Sequence, residues 1–134
     1  NLEGALDHLR EAREVAVASR AQGYIAICDQ IGGEVWVKLG DLGQALISLA
    51  SAEKTFTDLG MTLNIWLCQI HIADIYLAQG EEARAEEIYL RLFVLSESAS
   101  PDIAWRCTAG LAQLAEKRPA AATGRHSETH RLFG

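Results

Sequence analysis

Three segments of this chain stand in register with one another: IAICDQIGGEVWVKLG at 25–40, IWLCQIHIADIYLAQG at 65–80 and AWRCTAGLAQLAEKRP at 104–119. The period is about 40 residues, within the range that marks helical repeat arrays. Cys28, Cys68 and Cys107 occupy one equivalent position, as do Gly33, Ala73 and Ala112, then Val35, Ile75 and Leu114, then Trp36, Tyr76 and Ala115. The intervening stretches repeat as well, with Ala5, Ala45 and Ala85 in register, Leu9, Leu49 and Tyr89 one turn on, and Ala12, Ala52 and Leu92 beyond them. A unit repeated at this period cannot bury both of its faces alone, so its stability has to come from stacking on the next unit.

Each unit reads as a helical hairpin. The opening NLEGALDHLREAREVAVASR places Leu2, Leu6, Leu9, Val15 and Val17, with Ala5 and Ala12, on one stripe at helical spacing. Comparable stripes recur to about residue 117, and 65–80 reads as one more amphipathic helix ending at Gly80. Breaks fall at 21–23, 39–43, 59–61, 78–82, 98–101 and 117–119. Glycine after a helix end supplies a left-handed cap, and Pro101 suits a first helical turn. The expectation is about seven helices and no strand. The one strand-like run, GEVWVKLG at 33–40, is short and flanked by helix, so Val35, Trp36 and Val37 are read as helical. Close approach of paired helices needs small residues, which accounts for Gly33, Ala73, Ala45 and Ala85. Large residues such as Trp36, Tyr76 and Tyr89 then fill the gaps between hairpins. The product expected is an all-α, curved, right-handed stack with an inner and an outer wall.

Composition narrows the class of function. With 134 residues, 49% of them hydrophobic and 22% charged, the chain is long and apolar enough for one self-supporting domain. Its 18 acidic residues against 12 basic ones make the net charge −6, so approach to a phosphate backbone is repulsive and nucleic acid is not an expected partner. No run of about 18 apolar residues occurs and the first residues lack a basic region followed by an apolar one, so neither membrane span nor secretion is expected. The absence of an initiator Met and the immediate helical pattern suggest a fragment of a longer protein.

The residues that repeat also carry a family pattern: a small residue, an aromatic three later, Gly four after that, Ala five on, and an aromatic or Leu four beyond. It stands as Gly33, Trp36, Gly40, Ala45 and Leu49, and again as Ala73, Tyr76, Gly80, Ala85 and Tyr89. This resembles the tetratricopeptide repeat (TPR) over nearly the whole chain. The resemblance implies a right-handed αα-superhelix, a TPR-like solenoid in a single domain spanning 1–134, with repeats at about 1–20 (partial), 23–60, 61–98 and 101–132 (degenerate). The period departs from the usual one of about 34 residues, and the proline often found near a repeat's end is missing after both full repeats. Longer helices and a more open curvature are therefore expected. In the third repeat Pro119 and Ala115 stand where Gly and an aromatic belong, so its helices are expected to pack loosely. The phrases FTDLGMTLNIWLCQIHIADIYLAQGE and SPDIAWRCTAGLAQLAEKR are similar to long TPR arrays of bacterial signalling proteins, both those preceding a caspase-like CHAT peptidase domain and the sensor arms of nucleotide-dependent transcription regulators. Either parent implies a cytoplasmic location.

Candidate chemistry is thin. The three cysteines lie one hairpin apart with no C-x-x-C, which points to core thiols and not to a metal site, and reduced thiols suit a cytosol. His71, whose equivalents are Ile31 and Gly110, reads as a helix-surface or groove-edge histidine. Asp74 differs, because its equivalents Glu34 and Gln113 are also polar. By the TPR resemblance this position lies on the concave face, where Gln30, Lys38 and Glu116 would join it, interleaved with Ile27, Leu67, Ile70 and Leu77. That wall is either a solvated face or a peptide groove. His126 and His130, four apart, lack the Glu that a zinc-protease helix needs, and QIGGEV lacks the Lys of a phosphate loop. No catalytic residue, cofactor or metal is expected.

These readings lead to a scaffold for protein–protein interaction that binds a peptide or domain in its groove. Glu34 and Asp74 favour a basic or amide-rich ligand. Two alternatives stand beside it: an intramolecular arm that regulates an attached peptidase or transcription-regulator domain, and a self-association module acting through terminal repeats that have no polar capping helix.

Overall fold

The computed structural model describes residues 1–118, and every regular element among them is an α-helix: α1 (Leu2–Ala18), α2 (Gln22–Leu39), α3 (Leu42–Leu59), α4 (Thr62–Ala78), α5 (Glu82–Ser96) and α6 (Pro101–Lys117). Six helices are therefore seen where about seven were expected; the stretch assigned to the seventh, with Pro119, His126 and His130, lies outside the described residues. The strand-like run at 33–40 lies almost wholly in α2, up to Leu39, with Gly40 as its cap.

Four turns of one design separate the first five helices. Arg20, Gly40, Gly60 and Gly80, evenly spaced along the chain, take left-handed φ values of 57°, 86°, 71° and 81°. In each turn that residue's N–H bonds the carbonyl three back, and the next N–H bonds the carbonyl five back, as in Gly40 to Val37 and Asp41 to Trp36. This double bond satisfies carbonyls that a helix end would otherwise leave open. At the first turn the left-handed residue is Arg20, after the Ser19 cap, and not the nearby Gly23, which falls inside the first turn of α2. The link from α5 to α6 is different: Ser100 caps α6 by accepting the Ile103 N–H, with Pro101 at its first position.

Each helix packs on its neighbours in the chain, and α4 also touches α2 and α6. The residues of α4 show why it is central. Cys68, Ile72 and Ile75 join one core cluster with Ala26 of α2 and Ala45, Leu49, Ala52 and Phe56 of α3. Ile70, Ala73 and Leu77 project on the opposite side into a second cluster with α5 and α6, built on Ala85, Tyr89, Leu92, Ile103, Cys107 and Leu114. At about 100° per residue these two triplets sit roughly half a turn apart, so α4 is not the one-faced amphipathic helix its sequence suggested. An apolar circumference is what a helix buried on two sides requires.

Small residues set the close approaches. A Cβ on Gly33 would lie 2.6 Å from Leu49 Cγ, and one on Gly110 would run into the Tyr89 ring. Gly110, a position for which the repeat pattern set no small residue, thus admits the fully buried Tyr89. α6 buries Ile103, Ala104, Cys107, Gly110 and Leu114; the helix it was expected to pair with loosely lies outside the described residues. Trp36 is half-buried against the first cluster, and Tyr76 bridges both.

Adjacent glycines give opposite expectations. Gly32→Ala adds a Cβ that meets nothing within 4 Å and is expected to stabilise by about 0.5–1 kcal/mol through helix propensity. Gly33→Ala collides with Leu49 and is expected to destabilise by about 1–3 kcal/mol despite the same propensity gain. Urea unfolding of both variants checks the sign of each. Arg20→Gly relieves the left-handed strain that the other three turns avoid and is expected to add about 0.5–1 kcal/mol, read as a higher urea midpoint at unchanged slope.

Candidate functional site

With both flanks of α4 taken up by the core clusters, one strip of it remains open. Leu67, His71, Asp74 and Ala78 follow one another at i, i+4, i+7 and i+11, the spacing of a single helix face. Opposite them stand Gln30, Glu34, Val37 and Lys38 of α2, and Leu42 at the start of α3 and Arg106 of α6 complete the lining. The cleft so formed encloses about 500 Å³, in the range of sites that hold small ligands or side chains of a bound peptide. Val37, Leu42, Leu67, Ile75 and Ala78 supply its apolar surface, and charged groups of both signs stand around them.

Of the concave-face residues expected from sequence, Gln30, Glu34, Lys38, Leu67 and Asp74 come together in this cleft. The other five do not. Ile70 and Leu77 are only 2% and 4% exposed, because that side of α4 is closed by α5 and α6. Ile27 packs against the first core cluster, and Gln113 and Glu116 are exposed on α6 without lining the cleft. Two polar lining residues fall outside the expected set. His71, expected at a helix surface or groove edge, lies in the wall. Arg106 is the repeat equivalent of Leu67 and Ile27, so the repeat register contained the signal that would have found it.

The carboxylates of the cleft are already engaged. Glu34 Oε1 accepts from His71 Nε2 at 2.8 Å, a bridge that ties α2 to α4 across the opening. This geometry serves both the neutral Nε2–H tautomer and the imidazolium. Asp74 accepts the hydroxyl of Tyr89. Burial, followed by that hydrogen bond, pushes the Tyr89 phenol well above its ordinary range, so it stays a neutral donor. Each acid therefore keeps one oxygen without a partner among the described residues. Of the cations, Arg106 lies 3.7 Å from Asp102 on the exposed side of its own helix, and Lys38 has no ion pair among the described residues. Further ion pairs and hydrogen bonds fix the neighbouring helices: Arg13 to Asp29 at 2.8 Å between α1 and α2, and Gln69 to Glu53 at 3.0 Å between α4 and α3.

The thiols stand apart from the cleft and from one another in role. Cys68 and Cys107 are fully buried, one in each core cluster, whereas Cys28 is only half-buried. Burial pushes Cys68 up to about 12, helped by Glu53 and Glu34, and Cys107 up to about 11, helped by Asp74. Both are inert core groups as expected, while Cys28 is less enclosed than that reading required. Among the described residues no group of His, Cys, Asp and Glu is arranged to hold a metal ion, and no helix is long and apolar enough to cross a membrane.

Comparison of the chain with family models, with curated proteins and with solved structures found no match.

Alkylation separates the thiols. In the native protein at mildly alkaline pH, iodoacetamide is expected to label Cys28 alone, and all three cysteines in urea. Mass spectrometry of the digested protein checks this, since labelling of Cys68 or Cys107 without denaturant would mean that the core opens locally.

Proposed function

We propose that this chain is a TPR-like, right-handed helical solenoid whose role is protein–protein interaction, with the α2–α4–α6 cleft as the seat of a peptide segment. The observation that carries this reading is the lining itself. Side chains from three successive first helices of the repeat converge on one concavity, with an apolar floor and a rim of both charges. Such a surface suits an extended or helical peptide, which anchors an apolar side chain on the floor and orients through polar contacts at the edge. The remaining oxygens of Glu34 and Asp74 favour basic or amide groups on that peptide, and Lys38 and Arg106 limit how basic it can be. The evenly spaced turns of one design and the α2–α4 and α4–α6 contacts support the solenoid. A cytoplasmic signalling or regulatory parent protein is the setting that the sequence resemblance implies.

A random peptide library displayed on phage and selected on the immobilised chain tests the reading. Peptides with an apolar anchor are expected to be enriched and to bind Val37→Glu at least about tenfold more weakly, a loss of about 1.4 kcal/mol. Val94→Glu, on an exposed position of α5 outside the cleft, is expected to bind as wild type does. Failure of any peptide to enrich, or equal loss in both variants, would remove the cleft as the binding site.

A further inference from the structure

Two helix junctions of the repeat share one backbone arrangement and differ in one side chain. Lys38, Ala78 and Lys117 hold a single register position near the ends of α2, α4 and α6. From α6, the Lys117 ammonium reaches back across the repeat and donates to Leu77 O at the end of α4, at 3.5 Å. A cation there meets the negative end of a helix, whose last carbonyls have no partner further along it. Leu77 O already accepts the Gly80 N–H of the turn, so the ammonium takes its second lone pair.

Between α2 and α4 the same backbone stands without that cation. Val37 is the register-mate of Leu77, and its carbonyl accepts the Gly40 N–H at 3.0 Å, as Leu77 O accepts that of Gly80 at 3.2 Å. The residue placed to reach back to it from α4 is Ala78, whose methyl group carries no donor. Lys38, on α2 itself, makes no hydrogen bond or ion pair among the described residues, and no side chain among them bonds Val37 O. Val37, Leu42 and Ala78 all line the cleft. One turn back along each helix stands an acid, Glu34 before Val37 and Asp74 before Ala78, each with an oxygen that has no partner among the described residues. At the α4–α6 junction the corresponding pair is Asp74 and the neutral Gln113, so the α2–α4 junction carries one carboxylate more.

Resting on the reading of the cleft as a peptide seat, we propose that this junction takes the ammonium of a lysine side chain on the bound peptide. That lysine does for α2 what Lys117 does for α4. Its four-carbon stem lies along Val37, Leu42 and Ala78, as such stems do on apolar surface. Its three donors are shared between Val37 O and the open oxygens of Glu34 and Asp74. Lys38 and Arg106 on the same cleft repel further cations, so the place holds one lysine and not a basic run.

The probe is Nα-acetyl-lysine methylamide, and its control is the norleucine analogue, which has an apolar side chain without the ammonium. In amide NMR titrations of the 134-residue chain, the lysine probe is expected to shift the signals of Gly40, Asp41 and Ala78 with millimolar affinity. The norleucine analogue is expected to bind about fivefold more weakly or worse. Ala78→Lys supplies the chain's own ammonium at an exposed position and is expected to remove the preference for lysine over norleucine. It is also expected to unfold at a higher urea midpoint than Ala78→Met, which has similar helix propensity and no charge. Equal affinity for the two probes overturns the proposal, as does undiminished lysine binding by Ala78→Lys or an equal midpoint for the two variants. Phage selection that enriches peptides sensitive to Val37→Glu, with lysine and norleucine bound alike, leaves the peptide cleft standing and removes the lysine site alone.

Discussion

Burial of α4 on two opposite sides is the constraint from which the rest of this structure follows. Cys68, Ile72 and Ile75 hold it to α2 and α3, and Ile70, Ala73 and Leu77 hold it to α5 and α6. Apolar burial is roughly proportional to the area removed from water, so a helix with two such faces joins two clusters that would otherwise be separate small cores. The strip between those faces has no helix of its own left to meet. It becomes one wall of a cleft because it is the side of α4 that the clusters do not use.

That origin explains the chemistry of the cleft. A residue on this strip need not be apolar, yet it stands close to other helices, so polar groups placed there find partners. Glu34 and His71 bridge α2 to α4, and Asp74 takes the hydroxyl of a buried tyrosine whose ring occupies the space left by Gly110. The same contacts that shape the groove therefore also brace it. A wall so braced is preorganised, which lowers the ordering entropy that the ligand proposed for the cleft would have to offset.

Much of the architecture is legible in the chain, and the reason is local. Turn positions are set by residues that tolerate a left-handed conformation, and Gly40, Gly60 and Gly80 are such residues by their lack of a Cβ. Arg20 holds the same conformation without that chemical signature, which is why the first turn reads as ending at Gly23. Half of the residues expected on the concave face line one cleft, because Gln30, Glu34 and Lys38 share a helix face and Leu67 and Asp74 share another. Ile70 and Leu77 fail for the opposite reason: helical spacing shows which residues travel together but not which neighbour covers them. Arg106 shares the register position of Leu67, so the repeat places it on the same wall, whereas His71 stands where Ile31 and Gly110 do and the repeat pattern carries no expectation of a polar group there.

By itself, then, the sequence determined the all-helical class, the regular beat of helix and turn, and the small residues where helices meet, since all of these depend on groups close together along the chain. The tertiary structure alone decided that α4 is a shared core element, that Gly110 admits the Tyr89 ring, and that Glu34 and Asp74 already hold partners in the cleft. Those outcomes depend on which helix lies against which face, and that is a property of packing among residues far apart in the chain, as Asp74 is from Tyr89 and Leu77 from Lys117.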